Sequence, residues 1–177
     1  MTDKLQAIVL GSHLLRQYLI NYARPLIYTT FLPYPSLALI RASYRLLVSG
    51  ATTAMQRHLH HLTQTLFTTL REANRNSAAF RRFLQLPSSC PTSPVFAIQL
   101  QEPRSLAIHL QNQGMMVRAV VPPTVPIGTQ RVRVCLHAGN TVEELDKLLK
   151  ALEEWCETQM LLKSEATGGG VALQGRL

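Results

Sequence analysis

Apolar positions change their period part-way along this chain. From Leu14 to Leu70 they recur at intervals of three and four residues, and from Val95 to Leu136 they alternate or run in short blocks. Gln6–Leu10 (QAIVL) is an apolar run ending at Gly11-Ser12 and reads as the end of a buried strand. Ser12 then caps a helix whose apolar positions are Leu14, Leu15, Tyr18, Leu19 and Tyr22, and Arg24-Pro25 stops it. Leu26–Pro35 is irregular, with Pro33 and Pro35 as breakers. Ser36 opens a second helix that closes at Ser49-Gly50. A longer third helix sets Met55, Leu59, Leu62, Leu66, Phe67 and Leu70 on one face and Arg57, Arg71 and Arg75 on the other.

Residues 76–94 form a connection anchored by Phe80 and Phe83. Val95–Leu100, Met115–Val121 and Arg131–Leu136 then read as strands, the last with Arg131 and Arg133 outward and Val132, Val134 and Leu136 inward. Pro103–Gln113 reads as a helix offering Leu106, Ile108 and Leu110 for burial, ended by Gly114. The last helix is opened by a capping box, Thr141 with Glu144, and carries an apolar stripe from Val142 to Cys156. A strand stub, three helices, then strand–helix–strand–strand–helix predicts an α+β fold with one small sheet backed by helices. The chain opens in mid-strand, as if its beginning were missing.

Charge sharpens this picture. The 177 residues carry a formal charge of +8, with 14 Lys+Arg against 3 Asp+Glu in residues 1–135 and 4 against 7 in residues 136–177. Fourteen of the 18 basic residues are arginines, which suit carboxylate or phosphate partners. They are scattered, and aromatics are 6%, so a nucleic-acid surface is not expected. No apolar run reaches the length of a membrane span. Met1-Thr2-Asp3-Lys4 has no signal-peptide pattern, and Cys90, Cys135 and Cys156 are an odd, widely spaced set, so a reducing cytoplasmic location is expected. Gly175-Arg176-Leu177 only loosely resembles a peroxisomal terminus. His58, His60 and His61 read as a solvated helix face rather than metal ligands, because no carboxylate or thiol lies within a turn. No nucleophile elbow and no phosphate loop is present.

The informative stretch is Val117–Thr141 (VRAVVPPTVPIGTQRVRVCLHAGNT): a strand, a rigid Pro-Pro-Thr-x-Pro crossing, a Gly-Thr turn, an alternating strand and a helix cap. Prolines hold the backbone on both sides of Thr124, and a hydroxyl fixed this stiffly serves a site better than a core. This stretch resembles the C-terminal part of the α-oxoamine synthases, pyridoxal-phosphate enzymes of the aminotransferase class I/II fold. Within that family it is most similar to the 8-amino-7-oxononanoate synthase branch of biotin biosynthesis. Ala7–Ser12 followed by Tyr22–Pro33 (YARPLIYTTFLP) resembles the family's segment just after its Schiff-base lysine. The likeness runs from residue 6 to residue 156.

The resemblance implies a fold-type I small domain, an antiparallel sheet backed by helices, at residues 36–163. Residues 1–35 would be the last strand and helices of a truncated large domain, and residues 164–177 a flexible tail. It implies pyridoxal 5′-phosphate as cofactor, with Thr29 and Thr30 reaching the cofactor phosphate of the neighbouring subunit of a homodimer. It also implies an amino acid and an acyl-CoA as substrates, with Thr124 near the amino acid's carboxylate. Val121 stands where the family has the arginine that clamps this carboxylate, and a valine makes no bidentate pair. Arg118 lies three residues earlier, on the opposite face by strand alternation. The family's lysine falls ahead of Met1, and Lys4 does not match it, so no catalytic residue is expected within the chain. In the family the lysine and the cofactor ring together carry the chemistry. The chain is therefore expected to be inactive alone. The alternative is a non-catalytic paralogue that dimerises with, or regulates, a full-length homologue.

Overall fold

The computed structural model describes residues 10–28 and 32–168, and the Gln6–Leu10 strand stub falls almost wholly outside them. The chain packs as two units, residues 1–53 and 54–177.

The first unit is helical. Helix α1 spans His13–Tyr22, and the Ser12 hydroxyl accepts from the Leu15 amide at 3.2 Å, the cap expected from the sequence. Arg24-Pro25 ends α1 as expected, but the chain turns at once into a short helix, α2, Arg24–Ile27. Pro25 sits where its missing N–H costs nothing. Pro35 behaves in the same way. It lies in the first turn of α3, Tyr34–Val48, so it helps open that helix rather than breaking the chain. The α3 helix closes at Ser49, and Gly50 supplies the left-handed turn at φ +75°. Among the described residues of this unit only Ser36 is buried.

The second unit holds the core. Helix α4, Thr53–Asn76, buries Leu62, Leu66, Leu70 and Ala73 on one stripe. Met55, on the same stripe, is 60% exposed because the first two turns of α4 extend beyond the packed core. The 76–94 connection contains a helix, α5, Ala78–Phe83, capped by Ser77, and Phe80 is fully buried beneath it. Three strands follow: β1 Val95–Gln99, β2 Arg118–Val120 and β3 Arg131–Cys135. They form one antiparallel sheet in the order β1-β3-β2, so the expected α+β architecture stands. Phe96, Ile98, Val132 and Val134 face inward against α6, Pro103–Asn112, and α7, Val142–Gly168. Each such fully buried Leu, Ile or Phe stabilises by roughly 1.5–3 kcal/mol. On α6 the buried positions are 103, 106, 107 and 110, a helical stripe that leaves Ile108 57% exposed, contrary to expectation. Helix α7 continues through residue 168, so the expected tail from residue 164 begins as helix, and residues 169–177 lie outside the described residues.

Candidate functional site

The β2–β3 connection is a turn closed by several local hydrogen bonds. The Pro122–Pro123 bond is cis, and the Thr124 amide donates to the Val121 carbonyl at 3.0 Å. The Thr129 amide and hydroxyl both donate to the Pro126 carbonyl, at 3.1 and 2.8 Å. Gly128, at φ +85°, donates to the Gln130 side-chain oxygen at 3.0 Å, a conformation that needs glycine. The Arg131 Nε donates to the Thr129 carbonyl at 2.9 Å and ties strand to turn. Thr124 is exposed at the head of this turn. Its backbone is bonded, and its hydroxyl is open to a ligand.

Sheet register shows what lies beside the turn. Arg118 is opposite Arg133, Ala119 opposite Val132, and Val120 opposite Arg131. Residues opposed across a ladder share a face, so Arg118, Arg131 and Arg133 all stand on the side away from the core. Cβ atoms so opposed are about 5 Å apart, and like charges there repel. Three guanidiniums on one small face have a chemistry that suits an anion. Sequence reasoning placed Arg131 and Arg133 outward but gave them no role. Alternation alone showed their direction, whereas their pairing with Arg118 required the register of two strands separated by the turn. Val121 is half-buried just past the end of β2.

The expected site residues are thus unequally served. Thr124 is placed on the turn, and Thr29 and Thr30 lie outside the described residues. Two of the three α4 histidines have other partners: His58 Nε2 is 3.0 Å from the Asn140 carbonyl, and His60 is 2.9 Å from the Gln64 amide. The α7 start has both halves of its capping box, with Thr141 N–H to Glu144 Oε2 at 3.2 Å and Glu144 N–H to Thr141 Oγ1 at 3.4 Å. A bond from the Asn140 amide, then one from the Thr141 backbone, holds the Glu144 carboxyl below its ordinary range. Cys156 is buried, and desolvation, with Glu153 and Glu157 nearby, pushes its thiol up to about 12.

Residues 6–152 match the aminotransferase class I and II family. The chain belongs to that family. It is 49% identical over 152 residues to the 8-amino-7-oxononanoate synthase of Emericella nidulans, covering 85% of this chain and 36% of that protein. It is 35% identical over 155 residues to the aminoacyl transferase sphA of Aspergillus fumigatus, covering 82% of this chain and 33% of that protein. Two solved structures share the fold. Serine palmitoyltransferase of Sphingomonas wittichii superposes with a TM-score of 0.64 at 22% identity, over 84% of this chain and 35% of that one. The 8-amino-7-oxononanoate synthase of Francisella tularensis does so with a TM-score of 0.59 at 25% identity, over 84% and 41%. The expected fold-type I small domain is therefore correct, and the chain spans about a third of the length of the curated relatives it matches.

The described residues fit one end of the expected chemistry better than the other. A hydroxyl on a rigid turn and three outward arginines suit a carboxylate or phosphate oxygen. A pyridoxal ring also needs a lysine amine, and the described lysines, Lys147, Lys150 and Lys163, all lie on α7 rather than on the sheet face.

Proposed function

We propose that the chain is the small-domain portion of a pyridoxal-phosphate-dependent acyl-CoA:amino acid C-acyltransferase of the 8-amino-7-oxononanoate synthase type. The observation that carries this reading is the hydrogen-bonded turn that holds Thr124 between the two arginine-bearing strands, within a chain 49% identical to such a synthase. In this reading the guanidiniums of Arg118 and Arg133 receive another anionic group of the substrates, on the sheet face opposite position 121. The Thr124 hydroxyl donates to a carboxylate oxygen and fixes the amino acid's rotation. Thr29 and Thr30 contribute donors to the cofactor phosphate of a partner subunit. When bound, the cofactor supplies the electron sink for carbon–carbon bond formation, and its lysine comes from outside this chain's matched positions. The acyl-CoA is the second substrate, and the working assembly is a dimer.

The test restores the remainder. Residues 1–177 are fused behind the large-domain portion of the Emericella nidulans relative, and acyl-CoA-dependent release of free CoA is followed with a panel of amino acids. Turnover above the large-domain portion alone is expected. A fusion that binds the cofactor but condenses nothing overturns the enzyme reading in favour of a non-catalytic partner of a full-length homologue.

A further inference from the structure

The C-terminal end of α4 and the α5 helix carry arginines that neither the core nor the sheet face uses. Two of them, Arg71 on α4 and Arg81 on α5, line a cavity of about 380 Å3. No carboxylate lines it, and Glu72, the acid beside Arg71 in the sequence, is not among its walls. Each guanidinium is held in a way that leaves donors open. Arg81 donates through Nη1 to the Asn74 carbonyl at 3.0 Å and to the Arg75 carbonyl, which closes the end of α4. Its Nε and Nη2 groups, an edge suited to bidentate pairing with an oxyanion, make no hydrogen bond among the described residues. The Arg71 guanidinium carbon lies 5.5 Å from the Phe67 ring centroid. A contact made through the flat face of a guanidinium leaves its in-plane N–H groups free to bond.

Asn74 follows Arg71 by three residues on the same face of α4, so the bond from Arg81 to Asn74 gathers both cations around one cavity. Gln85, its backbone locked to Gln99 by bonds of 2.8 and 3.0 Å, adds an amide, and Ser88 adds a hydroxyl. Leu84, Leu86 and Pro87 supply an apolar wall. The carbonyls that end α4 offset part of the Arg81 charge, so a tight ligand must engage Arg71 as well. A carboxylate has two oxygens and a single charge, enough for one guanidinium. Two guanidiniums with a hydroxyl match the three oxygens and double charge of a phosphoryl group. The volume lies toward the small end of ligand pockets. We propose that this cavity binds a small phosphate monoester, with its phosphoryl oxygens on Arg71 and Arg81 and its carbon portion against the apolar wall. The inference stands apart from the acyl-transfer reading, because none of the lining residues belongs to the β2–β3 turn or to the sheet strands.

Equilibrium dialysis of the full chain against radiolabelled inorganic phosphate, with propyl phosphate and acetate as competitors, tests this. Saturable binding of one phosphate per chain is expected. Propyl phosphate should displace the label at a concentration several-fold below that of unlabelled phosphate, and acetate should not displace it at matched ionic strength. Arg71→Gln, which removes no hydrogen bond within the fold, should weaken phosphate binding about tenfold or more. Arg82→Gln removes the same charge from a neighbouring residue that bonds to Met160 and does not line the cavity, and it should change the affinity less than twofold. Arg81→Gln should match Arg71→Gln, and a circular dichroism spectrum unchanged from wild type would show that the end of α4 stays folded. Equal weakening by the Arg71 and Arg82 variants would reduce the binding to general surface charge and overturn the proposal. Absence of saturable binding, or displacement by acetate as effective as by propyl phosphate, would overturn it equally.

Discussion

Thr124 holds its hydroxyl in place through the backbone rather than through packing of its own side chain. The Thr124–Val121 bond, the flanking prolines and the Gly128 turn fix the Cα–Cβ direction, while the side chain stays exposed. Thr124→Val in the fusion keeps the shape and removes the donor, so about 1–3 kcal/mol of amino-acid binding should be lost. The loss belongs in KM for the amino acid, with the melting temperature unchanged, and unchanged KM would remove Thr124 from the site. Position 121 allows a stricter check. Val121→Arg in the fusion should lower KM for the amino acid, because it restores a bidentate partner for the carboxylate. If Val121→Arg raises KM instead, the carboxylate does not approach the end of β2. Thiol reactivity separates two further residues: Cys135 is exposed, whereas the Cys156 thiol is buried and pushed up to about 12. Timed alkylation at pH 8 with peptide mapping should modify Cys135 well before Cys156. Early labelling of Cys156 would show that α7 opens readily.

Elements with a local signature were legible in the sequence, and those set by distant partners were less so. The α7 start carries its own instructions in Thr141 and Glu144, and both reciprocal bonds form. Ser12 capped α1 as read, and the alternation in Arg131–Cys135 named the buried valines correctly. Pro35 was misread because the same residue ends one element and begins another, and only the following turn decides which. Ile108 was misread because an apolar residue between two buried neighbours looks buried until the helix is drawn. The arginine face needed strand register, which no single segment contains. The α7 cap also sets a pH dependence. The Glu144 carboxyl is held below its ordinary range in the folded state, so its contribution is present above the unfolded carboxylate range. It is lost as pH falls through the lowered folded value. Glu144→Gln should therefore lower the neutral plateau of a stability-against-pH curve and flatten its acid limb, because the ionised carboxylate's contribution is absent at every pH. Thr141→Ala should cost about 0.5–2 kcal/mol at neutral pH in chemical denaturation. An acid limb identical in wild type and Glu144→Gln would remove the cap from the account.

At the scale of the whole molecule the two units differ in how they satisfy their apolar residues. The second buries a continuous core from α4 to α7, with Phe80, Phe96, Leu106, Val132 and Leu152 fully enclosed. The first leaves Leu14 77% exposed and Tyr22 69% exposed, with Tyr18, Leu26 and Leu39 also open, and it buries only Ser36 among its described residues. So many exposed large apolar side chains on one short helical unit call for a cover. The helices of the first unit are short and lack a shared core, and amphipathic helices of this length draw their stability from packing. The chain alone should therefore self-associate and bind a hydrophobic dye, with protease cleavage concentrated in residues 10–53 and the 54–168 region protected. Fusion to the large-domain portion of the Emericella nidulans relative should suppress both the dye signal and the cleavage. A monodisperse chain that binds no dye and resists protease throughout would show that the first unit is stable by itself. The apolar face would then need an explanation other than a covering domain.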